Sequence, residues 1–270
     1  MSSSRPAPAV TPPGAPPCPV TRIAGNPAAG VVFLCDHAQN TIPVEYMALG
    51  LPPAELERHI AYDIGAEALT RQLATRMDAP AVMSQFSRLL IDPNRGEDDP
   101  TLVMRISDGA LVPGNAHIGA DEVARRIERF FRPYDQAVSE TIEAAMASGV
   151  LPVIVSIHSF TPFWRGVPRP WQVGILWASD GRFSNPLIDA LRAEKGLTVG
   201  DNEPYQGALK GDVIDRHALA RGLSNTLIEV RQDLIADAAG VEEWAERLHR
   251  VMLPILADPA QHSSTVRNVS

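Results

Sequence analysis

Apolar residues recur along this chain in two rhythms. Short, β-branched runs fall at Gly30-Val-Val-Phe-Leu-Cys35, 81–84, 88–92, 151–157, 172–177 and 226–230, each bounded by Gly, Pro or a polar cluster. Runs of this length and composition predict buried strands, with 81–84 and 88–92 as a pair stopped by Pro93. Between them the spacing changes to three and four. Leu56, Ile60, Ile64, Leu69 and Leu73 follow Pro52-Pro53 and predict a helix over 54–77. Val123, Ile127, Phe130, Phe131, Tyr134, Val138, Ile142 and Ala145 predict another, capped by Asp121, stopped by Gly149 and kinked or split at Pro133. Further helices are expected over 185–196, 213–220 and 241–256.

Strands and helices alternate throughout, which predicts an α/β fold: a three-layer sandwich around a mostly parallel or mixed central sheet. No internal repeat or linker divides it, so residues 20–258 are read as one domain. Residues 1–19 are too rich in proline for helix and read as a disordered tail, and 259–270 as a flexible C-terminal tail. The polar stretch 96–119, with Gly109, Gly114 and His117, reads as a long excursion, either an ordered surface segment or a lid.

Composition narrows the function. At 45% hydrophobic over 270 residues the chain can build a sizeable core without staples. Its two cysteines, Cys18 and Cys35, form no disulfide framework, which suits a reducing, cytoplasmic setting. A net charge of −8 disfavours a nucleic-acid partner, while a local arginine pair can still attract a small acidic substrate. The longest apolar run, near 150–157, is about half of a bilayer span, so no membrane partner is expected. P-loop, dinucleotide, HExxH and paired CxxC motifs are all missing from the sequence. Nothing in the pattern selects an oligomeric state.

Polar residues at the carboxyl ends of strands carry the candidate chemistry, because that rim is where open α/β sheets hold ligands. His37 follows Val-Val-Phe-Leu-Cys, His158 follows Val-Ile-Val-Ser-Ile, and Glu229 interrupts the apolar run 226–230. Two histidines supply part of a hydrolytic zinc site, which needs about three protein ligands and an open position. Asp63 is the candidate third ligand, turned inward on the helical stripe of Leu56 and Ile60; Asn40, three residues after His37, is its rival, and the choice stays open. Glu229 is the candidate general base, or else the partner of Arg231 in a buried ion pair. Arg88, Asn94, Arg95 and Arg231 are candidate clamps for a substrate carboxylate, Arg95 first among them, and His217 is a candidate substrate contact. Cys35 and His37 admit a cysteine-hydrolase reading, which the small, core-like setting of Cys35 disfavours.

Cys35-Asp-His-Ala-Gln-Asn40, Tyr62-Asp-Ile-Gly-Ala66, Ser87-Arg-Leu-Leu-Ile-Asp-Pro-Asn-Arg95, Ser156-Ile-His-Ser159, Asp201-Asn-Glu-Pro-Tyr205 and Ile228-Glu-Val-Arg-Gln-Asp-Leu234 resemble successive blocks of the N-formylglutamate amidohydrolases. The resemblance implies a zinc-peptidase-like α/β fold and hydrolysis of N-formyl-L-glutamate to formate and glutamate, late in histidine breakdown. Three blocks are also similar to pieces of zinc carboxypeptidases. That similarity implies His158 as a metal ligand, Asn94 and Arg95 as carboxylate binders, and Glu229 as base and then acid for a zinc-activated water. Asn40 stands where carboxypeptidases carry a ligand glutamate, so the third ligand remains Asp63 or Asn40. An amidase acting on other N-acyl amino acids, or a non-catalytic ligand-binding homologue, is the alternative.

Overall fold

The computed structural model describes residues 18–207 and 209–265; the expected tail over 1–19 lies outside them except for Cys18 and Pro19. In chain order the strands are β1 (Val20–Ile23), β2 (Val31–Cys35) and β3 (Ala81–Ser84), then a hairpin of β4 (Ile106–Ser107) and β5 (Ala110–Leu111). There follow β6 (Val153–Phe160), a hairpin of β7 (Phe163–Trp164) and β8 (Val167–Pro168), β9 (Val173–Leu176), β10 (Val199–Asp201) and β11 (Asn225–Arg231). The helices are α1 (Pro53–Leu56), α2 (Ala66–Arg76), α3 (Ala120–Arg126), α4 (Arg132–Ala147), α5 (Ser184–Arg192) and α6 (Ala238–Leu256). Seven strands form one sheet in the order β1-β3-β2-β6-β11-β9-β10. Strands β3, β2, β6 and β11 run parallel, whereas β1 and the β9–β10 pair oppose them. The sheet is mixed and mostly parallel.

Strand periodicity builds the three layers. Val31, Phe33 and Cys35 share one core with Leu69 and Leu73 of α2 and Trp244 and Leu248 of α6, while Val32 and Leu34 face a second core with Tyr134, Val138 and Ile142 of α4. Alternate residues of a doubly covered strand are thus all apolar, which is why the run reads as continuous. Among the described residues no helix is long and apolar enough to cross a membrane.

Several expected elements change on inspection. Residues 88–92 form no strand. Leu89, Leu90 and Ile91 are fully buried, but their segment is a turn whose carbonyls are taken by side chains: Asn115 Nδ2 donates to Leu89 O at 2.8 Å and Arg126 to Leu90 O at 2.9 Å. Burial without alternation mimicked a strand. Nor is 54–77 one helix. It breaks between α1 and α2, where Asp63 N donates to His37 O and Arg88 N to Ala61 O, so tertiary bonds replace helical ones. Gly65 restarts the helix at φ +81, and a Cβ there would meet Ile235 O at 2.2 Å.

Asp121 lies in the first turn of α3 rather than at its cap, which is Gly119. A π-helical turn, Ile127–Phe131, separates α3 from α4, and Pro133 sits in the first turn of α4. The segment 213–220 likewise forms a π turn (Ile214–Ala218) followed by a 3-10 turn (Leu219–Arg221). Residues 96–119 are an anchored excursion: the buried Asn115 also donates to Met104 O and accepts from Arg126. Residues 259–265 are not a free tail, since Pro259–His262 forms a 3-10 turn with Gln261 buried and His262 Nδ1 bonded to Leu151 O at 2.8 Å.

Candidate active site

Three loop and strand positions converge at the carboxyl ends of β2, β6 and β11. His37 stands just beyond β2. Its carbonyl receives the Asp63 N–H at 2.9 Å, which pins the α1–α2 break against the strand end. Asp63 therefore arrives on an irregular turn, not on the helical stripe expected for it. His158 lies inside β6, which runs on to Phe160 instead of ending at 157. Glu229 of β11 is its register partner, so the two side chains leave the same face of the sheet. His37, Asp63 and His158 are all buried, and one ligand atom from each lies within 4.8 Å of the other two.

Each histidine is held from behind. His37 Nε2 bonds Asp92 Oδ1 at 2.7 Å, and His158 Nε2 bonds Asp36 Oδ2 at 3.0 Å. Asp36 is itself fixed by Tyr134 Oη at 2.6 Å and Ser156 Oγ at 2.9 Å. A proton on each Nε2, where a carboxylate accepts it, directs both Nδ1 atoms toward Asp63. His158 Nδ1 is 2.8 Å and His37 Nδ1 3.5 Å from Asp63 Oδ2. His37 Nδ1 is buried with no hydrogen-bond partner, an expensive state unless a ligand takes the lone pair.

Charge supports the same reading. Burial opposes ionisation of Asp63, yet the charge of His37 and the hydrogen bond from His158 hold it well below the usual carboxylate range. Burial likewise opposes a charged His158, but its bonds to Asp36 and Asp63 hold it well above the usual imidazole value. Four buried carboxylates, Asp36, Asp63, Asp92 and Glu229, surround these rings and the Arg88 guanidinium. A divalent cation would fit this donor set of two imidazole nitrogens and a carboxylate, and its binding would release a proton. Asn40 does not line the cavity over this group, and its Nδ2 donates to Leu56 O at 2.9 Å.

A cavity of about 380 Å³ opens over the group, walled by Arg88, Asn94, Arg95, Trp177, Tyr205 and Glu229 among others. Glu229 Oε2 is buried without a partner. Burial is the main cause that pushes its carboxyl up to about 7, with Asp63 adding to it and His158 opposing. Asn94 receives Val213 N–H on its amide oxygen at 3.0 Å, which leaves its amide nitrogen to offer to a ligand. Arg95 donates to Thr101 Oγ1 and Asn94 O and forms no ion pair among the described residues. Arg88 differs: it is bound to Asp63 Oδ1 at 3.1 Å and lies 3.7 Å from Asp92, so it braces the histidine partners as well as facing the cavity.

Two expected contacts are not brought to this cavity. Arg231 turns away to Asp233 at 2.8 Å rather than pairing with Glu229, because the last residue of β11 lies at its open end. His217 is buried against Asp135 at 2.6 Å on the α4 side. The structure instead adds His59, four residues before Asp63 and 3.4 Å from it, whose ring is pushed down to about 4, chiefly by burial. Asp36 and Asp92 were also missed as histidine partners, although each lies within the quoted motifs. Cys35 is fully buried, and burial with nearby Asp63 and Asp36 pushes its thiol well above the ordinary value, which opposes a thiolate nucleophile.

A mixed α/β sheet carrying a buried His-Asp-His group, able to hold a metal beside an unpartnered carboxylate, defines a hydrolase site. The sequence model of the N-formylglutamate amidohydrolase family matches residues 29–236, and the chain belongs to that family; it is a hydrolase acting on amides. Its fold is similar to the crystal structure of a gene product from Agrobacterium tumefaciens at TM-score 0.82, with 36% identity over 88% of this chain and 94% of that one. It is also similar in fold to N-formylglutamate amidohydrolase from Ralstonia eutropha JMP134, at TM-score 0.68 and 23% identity, over 88% of this chain and 97% of that one. A search of curated proteins finds no match.

Proposed function

We propose that this protein hydrolyses the amide bond of N-formyl-L-glutamate, giving formate and L-glutamate, with zinc held by His37, Asp63 and His158 and Glu229 as general base. The observation that carries this reading is the pair of buried, unpartnered atoms His37 Nδ1 and Glu229 Oε2 on one cavity wall. When bound, zinc supplies Lewis acidity, easing ionisation of water and stabilising negative charge on a carbonyl oxygen. Glu229 takes the proton of the attacking water and passes it to the nitrogen that leaves as the amine of glutamate. Its raised proton affinity suits both halves of that task. Asn94 and Arg95 grip a substrate carboxylate, the Arg95 guanidinium supplying a positive charge on the cavity wall that forms no ion pair among the described residues.

The reaction belongs late in histidine breakdown in the cytoplasm; the free thiols of Cys18 and Cys35 support a reducing compartment. The test is metal content by elemental analysis, paired with formate release from N-formyl-L-glutamate before and after chelation. About one zinc per chain with chelator-sensitive release is expected. Full activity of metal-free protein, or of His158→Ala, overturns the proposal.

A further inference from the structure

A second cavity, of about 410 Å³, adjoins the first and shares His59, Arg88 and Tyr205 with it. Its position relative to the substrate follows from those shared walls. Arg88 and His59 both approach Asp63 Oδ1, so the border between the cavities passes beside the metal group. Asn94 and Arg95 line only the first cavity. A substrate whose carboxylate is held by Asn94 and Arg95, with its amide at the metal group, thus points its acyl end toward the second cavity. A formyl group carries only hydrogen there and needs no such space.

The chemistry of this groove argues for an uncharged occupant. Its cations are already neutralised: Arg58 pairs with Glu55 and Asp108, and Arg88 with Asp63 and Asp92. Among the described residues that line the groove no guanidinium lacks an acidic partner, and Arg169, which lies over the Trp164 and Tyr205 rings, donates to Thr161 O, Thr161 Oγ1 and Tyr205 Oη. The walls offer aromatic surface from Trp164 and Tyr205, and the two hairpins meet across the groove through Ser107 and Asp108 on one side and Trp164 on the other. Both hairpins expose apolar side chains, Ile106 and Leu111 on the first and Phe163 and Val167 on the second. Planar apolar groups stack well on such surfaces.

We infer that the second cavity is an acyl-group subsite, and that the enzyme cleaves N-acyl acidic amino acids whose acyl portion is larger than formyl, uncharged and preferably aromatic. This inference rests on the proposed amide hydrolysis with the carboxylate at Asn94 and Arg95. The step is the same: water adds to the acyl carbonyl, the C–N bond breaks, and the acid and amine form with one proton delivered to nitrogen.

The test compares kcat/KM for N-formyl-, N-acetyl- and N-benzoyl-L-glutamate in the zinc-loaded enzyme and in two groove variants, Ser107→Trp, which fills the space, and Trp164→Ala, which removes a wall. Calorimetric binding of the formyl and benzoyl compounds to zinc-loaded Glu229→Gln protein is measured alongside. The expected result is tighter binding of the benzoyl compound, and a benzoyl-to-formyl ratio of kcat/KM that falls about tenfold or more in each variant. Benzoyl binding no tighter than formyl binding, with the ratio unmoved in both variants, overturns the subsite. Failure of the proposed reaction itself reads differently, as no release of formate or benzoate by the zinc-loaded enzyme whatever the binding shows.

Discussion

Glu229 and His158 face each other across neighbouring parallel strands, and so a candidate base and a candidate ligand are set side by side by the sheet itself. Backbone bonds on both flanks of β11, to β6 and to β9, fix this relationship more firmly than a loop does. Replacing the carboxylate with its isosteric amide isolates the proton-transfer role. Glu229→Gln is expected to lower kcat by about 10²- to 10⁴-fold, with metal content unchanged because Glu229 lies outside the His-Asp-His group. Steady-state kinetics and elemental analysis on one preparation check both halves, and kcat within a few-fold of wild type would remove Glu229 from the mechanism.

Asp92 reaches the candidate metal-binding group through His37. Its 2.7 Å bond to Nε2 fixes the tautomer that presents Nδ1 to the centre. Asp92→Asn is expected to weaken zinc binding by about 10- to 100-fold, read by competition with a chromophoric chelator. Unchanged affinity would mean that the ring is oriented by packing alone.

Arg126 shows how far the scaffold of the site extends. It is 2% exposed, yet it donates to Leu90 O and Asn115 Oδ1 and pairs with Glu122 at 2.9 Å. These bonds hold the turn that delivers Asp92 and Asn94. Arg126→Met leaves buried acceptors without donors and is expected to cost about 3 kcal/mol in urea unfolding. A loss of kcat/KM should accompany it, since the turn carries groups on the cavity wall.

Cys35 gives the prediction of least change. Its thiol is buried in the α2 and α6 core and held neutral. Cys35→Ala should cost about 1 kcal/mol of stability for the lost packing while hydrolysis persists. Abolished activity in a folded variant would revive a thiol nucleophile.

Much of this site was legible because strand ends are legible. The runs ending at Cys35 and containing His158 and Glu229 are apolar on both faces, so a histidine or carboxylate within or just after them stands out. Asp63 was reached by a helical argument that the structure does not support; the residue is brought in by a turn bonded to His37 O, and no local pattern encodes that contact. The same holds for 88–92, where an irregular segment is buried because Asn115 and Arg126, distant in sequence, satisfy its carbonyls. Arg231 and His217 do not line the cavity because acids pair with them elsewhere: Asp233, close by in the chain, and Asp135, brought by α4. Partners supplied by tertiary structure are invisible to periodicity, whereas the strand frame that carries the chemistry is not.

His217 lies outside the cavity lining, in a pair with Asp135. Asp135 is met by His217 Nε2 at 2.6 Å and by Arg216 Nε at 2.9 Å. Partial burial opposes its ionisation, but the His217 bond and the Arg216 charge hold the carboxyl below its usual range. A carboxyl with a lower pKa folded than unfolded binds fewer protons in the native state, so its contribution is present above the unfolded value of about 4 and is lost as pH falls through the folded value. Asp135→Asn should therefore unfold more readily than wild type near neutral pH, and the difference should shrink steadily as the solution is acidified below about pH 4. Because Asp135 is about a third exposed, solvent screening keeps the difference small, on the order of 1 kcal/mol. Chemical denaturation across that range reads the sign directly: a gap that widens on acidification would contradict the assigned direction, and a gap independent of pH would mean that the carboxylate's ionisation contributes nothing to it.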